Sequence, residues 1–151
     1  MSRNLLLVEF PWGRDKDPRV PLGHASILAM LRAMPEIQCQ SFVKPINAPD
    51  FQLDDVKKEI LSELSKLGDN TDIAIGVYVW CEDVIKSILT SLRSNNFEGR
   101  IILGGPQISY SESGLECIYP ETDIFVRGYG EFALAELLTK SGKITHTGVH
   151  F

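Results

Sequence analysis

No apolar stretch in this chain approaches the ~18 consecutive residues that a bilayer-spanning helix requires. The N-terminus also lacks a basic region, an apolar core and a small-residue cleavage site in that order, so the expected location is the cytoplasm, with no membrane partner. Cysteine is scarce and odd in number. Cys39, Cys81 and Cys117 stand about forty residues apart, a spacing that writes neither a disulfide framework nor a close-spaced metal knuckle. Such thiols are expected to be small, buried or half-buried side chains. Runs of positive charge are missing too: the 15 Lys and Arg are scattered and outnumbered by 20 Asp and Glu. A net charge of -5 and a sequence pI near 5.2 argue against nucleic acid as a partner. Internal repeats and low-complexity segments are absent.

What remains is the composition of an ordinary folded domain. Its 151 residues are 44% hydrophobic and 23% charged, and a chain of this length buries roughly 70% of the surface that its unfolded form exposes. Asn4 to Phe10 is a short continuous apolar run, which suits a strand covered on both faces, and it stops at Pro11. Trp12 to Pro21 reads as a loop, and Ile27, Leu28, Leu31 and Met34 then recur at helical spacing up to Pro35. A second strand is expected over Ile37 to Val43, followed by a connection over Lys44 to Gln52. Leu53, Val56, Ile60, Leu64 and Leu67 define an amphipathic helix closed by Gly68. The strongest strand signal runs from Asp72 to Trp80 and predicts a central strand. A helix starting at Glu82 and Asp83, a short strand over Arg100 to Leu103, a strand over Asp123 to Val126 and a helix from Glu131 to about Lys140 complete the pattern. Strands and helices alternate five times, which predicts an α/β fold with a five-stranded, mostly parallel sheet of the flavodoxin-like, Rossmann-like kind, helices on both faces. Residues 1–141 are expected to form this domain and residues 142–151 a tail or the start of a linker.

In an open parallel sheet the ligand crevice lies beyond the carboxyl ends of the strands. Gly104 and Gly105, followed by Pro106 at the first turn of a helix, allow close approach of a flat ligand or a phosphate, or else make a plain tight turn. Gly128-Tyr129-Gly130-Glu131 carries the same two readings. Trp80, at the end of the central strand, either stacks on a planar ring or caps the core edge. His24 opens a helix, where it is an axial metal-ligand or acid-base candidate or a surface or satisfied residue. His146 and His150 are four apart on a run that does not favour helix, and read as tail residues.

Four pieces of the sequence, Pro21-Leu22-Gly23, Ile75 to Trp80, Ile101 to Tyr110 and Asp123 to Glu131, resemble in order and spacing the N-terminal cobalamin-binding domain of class B radical S-adenosylmethionine enzymes. The resemblance covers nearly the whole chain. It implies that cobalamin (vitamin B12) is gripped at the strand ends, its nucleotide tail inserted deep beside the glycine pair. Gly104, Gly105, Pro106 and Gln107 would carry over as that pair and its turn, Gly128, Gly130 and Glu131 as the second glycine loop, and Tyr78 and Trp80 as residues at the end of the central strand.

The sequence departs from the wider cobalamin-binding pattern in its first loop, Trp12 to Pro18, which holds no histidine; no cobalt ligand is assigned there unless His24 substitutes. The Cys-x-x-x-Cys-x-x-Cys triplet that holds a four-iron four-sulfur cluster is missing. The resemblance therefore implies a domain that acts with a radical S-adenosylmethionine catalytic domain, in cis but missing from this sequence or in trans, with S-adenosylmethionine and the cluster belonging to that partner. The rival expectations are a flavodoxin-like interaction module that has lost cobalamin binding, and a stand-alone enzyme using a nucleotide phosphate at a glycine loop.

Overall fold

The computed structural model describes residues 2–17, 20–141, 144 and 146–151. Pro18 of the first loop and Gly142, Lys143 and Thr145 of the expected tail lie outside the described residues. The chain runs β1 (Asn4–Glu9), α1 (Leu22–Arg32), β2 (Cys39–Val43), α2 (Leu53–Leu67), β3 (Thr71–Gly76), a 3-10 turn (Val79–Cys81), α3 (Glu82–Ser94), β4 (Ile101–Gly104), α4 (Pro106–Ser109), α5 (Leu115–Ile118), β5 (Ile124–Val126), α6 (Glu131–Thr139) and β6 (Val149–His150). The sheet order is β2-β1-β3-β4-β5-β6. Strands β1 to β5 are parallel and β6 pairs antiparallel with β5. The fold is thus a Rossmann-like α/β sandwich with a mixed, mostly parallel sheet.

Two expectations are corrected. The sheet has six strands rather than five, because Val149 and His150, within the segment expected as a tail or linker, line up with Val126 and Phe125. The central strand ends at Gly76 rather than at Trp80. Beyond it, the Val77 N–H still donates to the Gly104 carbonyl, but the Val77 carbonyl accepts from the Gln107 N–H of the neighbouring helix, and the chain winds into the 3-10 turn. Tyr78 and Trp80 therefore belong to a turn and not to the sheet.

The pleat sends alternate residues of each strand into two separate cores. Leu6, Val8, Ile73, Ile75, Ile101 and Leu103 face α2 and α3, whose Ile60, Ile85, Ile88 and Leu89 complete that layer. Leu5, Leu7, Ala74, Ile102, Ile124 and Val126 face α1 and α6, packing on Leu31, Leu134, Leu137 and Leu138. Fully burying one such side chain stabilises by about 1.5–3 kcal/mol. At the amino-terminal edge the fully buried Asp72 accepts from the Arg100 backbone N–H and from the Arg3 and Arg100 guanidinium groups, tying β1, β3 and β4 together. No helix among the described residues is long and apolar enough to cross a membrane.

Candidate functional site

The β1-β3 junction is where strand order reverses: the chain leaves β1 for β2 on one side and returns to β3 on the other, so the adjoining connections diverge and open a crevice at the carboxyl edge. A cavity of about 550 Å³ occupies that place. It extends from the carboxyl ends of β1, β3, β4 and β5 down between the sheet and helices α1 and α6. Leu7, Ala74, Ile102 and Val126 form its floor, and Ile27 and Leu134 its opposite wall.

The row of residues above that floor gives the site its character. Gly76 and Gly104 are register partners on β3 and β4, and Glu9 ends β1 on the same face as Leu7. A Cβ at residue 76 would lie 2.7 Å from Glu9 Oε2, so the bare Gly76 is what admits the carboxyl. At Gly104 a Cβ would meet nothing closer than the Val126 carbonyl at 3.5 Å, an ordinary contact. Packing leaves Gly104 free to vary, and its bareness opens the cavity. Gly105 is different: its φ of 90° and a Cβ position 2.8 Å from Val77 N make glycine a requirement of the turn.

Glu9 is 5% exposed and His24, from the first turn of α1, 3%. Nε2 of His24 lies 2.8 Å from Ser41 Oγ on β2, which fixes the ring, while Nδ1 faces Glu9 Oε2 at 3.8 Å. Glu9 Oε1 and His24 Nδ1 are buried without any hydrogen-bond partner. Tyr78 lies beside them; burial pushes its phenol above the usual tyrosine range, and the charge and hydrogen bonding of Glu9 push it further. Glu131 Oε1 accepts from Ser26 Oγ at 2.7 Å, clasping α6 to α1, and Gly130 lets the same two helices close up, a Cβ there meeting Ile27 Cδ1 at 3.0 Å. Arg127 donates to the Ile108 carbonyl at 3.0 Å, and Ser109 Oγ accepts from the Gly128 N–H at 3.0 Å, so the two glycine loops are held to each other.

Of the residues singled out by sequence, the cavity brings together Gly104, Gly105, Pro106, Tyr78, Gly128, Gly130, Glu131 and His24. Two are elsewhere. Gln107 turns away and donates to Glu82 Oε2 at 3.2 Å. Trp80 stacks on Tyr78 at 4.7 Å between ring centres and donates to the Phe10 carbonyl, beside a smaller hollow next to the β1-α1 loop. His150 is a sheet residue in β6 and His146 Nδ1 accepts from the Gly148 N–H, so neither approaches the cavity. Among the described residues no group of three or more His, Cys, Asp and Glu is arranged to hold a metal ion.

Sequence reasoning missed Glu9, Ser109, Tyr110 and Tyr129 as wall residues. For Glu9 a signal was present: it is the one charge inside an otherwise apolar strand. Among the described residues no lysine or arginine lines the cavity. Exposed apolar side chains cluster in the segments that leave the sheet at this edge. All the large hydrophobic side chains exposed among the described residues, except Ile118 and Phe151, follow the carboxyl ends of β1, β3, β4 and β5; Trp12, Leu22, Tyr110, Tyr129 and Phe132 are the largest contributors.

The chain matches no protein-family profile and no curated protein sequence. Among solved structures it is similar to a cutinase-like protein from Cryptococcus sp., at 16% identity and a TM-score of 0.46 over 76% of this chain. The match spans 58% of that protein.

Proposed function

We propose that this chain is a cytoplasmic cobalamin-binding domain of the flavodoxin-like type, with a sixth strand added at the sheet edge, that presents its cofactor to a radical S-adenosylmethionine catalytic domain. The observation that carries this reading is the form of the cavity: a bare glycine edge leading into a deep slot between one sheet face and two helices, where the resemblance expects the nucleotide tail. Its size lies within the range of sites that enclose small molecules and cofactors.

The donor set suits such a guest. Two buried polar atoms without a hydrogen-bond partner, Glu9 Oε1 and His24 Nδ1, belong to residues of the wall, and a ligand rich in amide groups can satisfy both. The exposed Tyr110 and Tyr129 flank the mouth, where a wide, largely apolar ring would cover them. A nucleotide di- or triphosphate, with several negative charges where the cobalamin tail has a single phosphodiester, fits poorly, since among the described residues the wall carries Glu9 and Glu131 and no lysine or arginine.

The chemistry that bound cobalamin supplies is methyl transfer or related radical chemistry. This chain's part is to bind, orient and shield: Gly104 admits the guest, Arg127 and Ser109 hold the loops, and α1 and α6 exclude water from the slot. With Nε2 engaged by Ser41, His24 serves the wall better than it serves cobalt. The iron-sulfur cluster and S-adenosylmethionine belong to the catalytic partner.

A second reading, a protein-docking module without cobalamin, draws on the exposed Leu22, Val79 and Phe132, which lie outside the cavity lining. Titrating the purified chain with hydroxocobalamin, read in the visible spectrum and followed by desalting, separates the two. Retention of stoichiometric corrin supports the first reading; a colourless protein after desalting overturns it.

A further inference from the structure

We propose that Glu9 and His24 form a clamp for one neutral carboxamide group of the bound ligand, with the amide N–H₂ donating to Glu9 Oε1 and the amide carbonyl accepting from His24 Nδ1–H. This rests on the cobalamin reading, because the corrin periphery is a rim of acetamide and propionamide arms, but the clamp is a property of the chain's own residues.

The case begins with the cost of the arrangement. A buried polar atom without a partner is destabilising, typically by more than a satisfied hydrogen bond contributes, and folded proteins keep few of them. Here two such atoms sit on facing groups, one on β1 and one on α1, of two residues that both line the same cavity. Their side chains are 6% and 1% exposed.

The pair is also held in place. Gly76 leaves the space into which the Glu9 carboxyl leans, and the Ser41 hydroxyl fixes the ring of His24 through Nε2. The Glu9 carboxyl oxygen 3.8 Å from Nδ1 favours the tautomer that carries the ring proton there, with Ser41 donating to Nε2. The wall then offers one acceptor and one donor side by side. An amide matches that pair with its own donor and acceptor, both on one planar group. A carboxylate or phosphate would bring negative charge against Glu9 and has no donor for Oε1.

The test uses the full chain, with Glu9→Leu and His24→Phe as shape-preserving apolar variants and Glu9→Gln as the conservative one. In a hydroxocobalamin titration each apolar variant is expected to weaken binding by about tenfold or more, the loss of one buried hydrogen bond, while Glu9→Gln, which retains an acceptor, restores most of the affinity. Wild-type uptake with unchanged affinity in both apolar variants overturns the clamp and leaves the cobalamin reading standing. If the wild type takes up no corrin, that reading fails, and propionamide titrated against ¹⁵N-histidine-labelled protein decides the clamp separately. A shift of the His24 nitrogen resonances that Glu9→Leu abolishes supports it; unmoved resonances overturn it. This measurement on the wild type also serves if an apolar variant fails to fold.

Discussion

Oε2 of Glu9 lies 2.7 Å from where a side chain on Gly76 would begin. The strand that carries the acid and the strand that makes room for it are hydrogen-bonded neighbours, so the position of this carboxyl is written into the sheet itself. Gly76→Ala is expected to push the carboxyl toward the cavity. Because the displaced atom is the end of a flexible side chain, the stability cost should stay near 1 kcal/mol, while corrin retention falls several-fold. Paired measurement of thermal midpoint and visible-spectrum titration checks this; a strong loss of stability with full retention would contradict it.

Gly104→Ile is a sharper lesion in the same row. A Cβ there meets only ordinary contacts, so the fold should survive, with circular dichroism unchanged and the midpoint within a few degrees. The branched side chain would fill the opening, and hydroxocobalamin uptake should disappear. Unchanged uptake would remove Gly104 from the site.

Asp72 offers a control at the other edge. It is fully buried and holds Arg3 at 2.8 Å and Arg100 at 2.6 Å. Asp72→Ala should cost about 3 kcal/mol, since it leaves both guanidinium groups and the Arg100 N–H short of a partner. Urea denaturation measures this, and whatever protein remains folded should bind ligand with wild-type affinity.

The thiols give a pH signature. Burial pushes Cys39 and Cys81 up to about 11, Arg32 opposing the shift at the first and Glu9 adding to it at the second. A thiol whose ionisation is held back in the fold contributes stability that is complete below the ordinary thiol value of 9.0 and is lost as pH rises toward 11. The urea midpoint should therefore fall across that window, and a Cys39→Ala, Cys81→Ala double variant should show a shallower fall. In native protein at neutral pH a thiol reagent should label the exposed Cys117 alone, and all three cysteines after unfolding.

Most of the architecture was legible because long periodic segments declare themselves. The intervals of three and four from Leu53 to Leu67 gave α2, and the apolar run from Asn4 gave β1. The end of β3 was not legible. Tyr78, Val79 and Trp80 all favour strands, so the local pattern continues past the point where Val77 turns its carbonyl to Gln107. The four-residue α5 and the two-residue β6 are too short for any period to register. At the site, the glycine turns announced themselves by composition. The Glu9–His24 pair did not, because the two residues lie fifteen positions apart on different elements and only the packing of α1 against the sheet brings them face to face.

Strand β6 is only two residues long, yet it occupies the outer row of amides and carbonyls on β5, and the Arg127 N–H donates to Gly148 just beyond it. With that row taken, a strand from another molecule finds no free template there on which to extend the sheet. Removing residues 146–151 should thus change solubility before it changes anything at the cavity: the shortened protein would be prone to self-association through its newly bared flank, as light scattering would reveal.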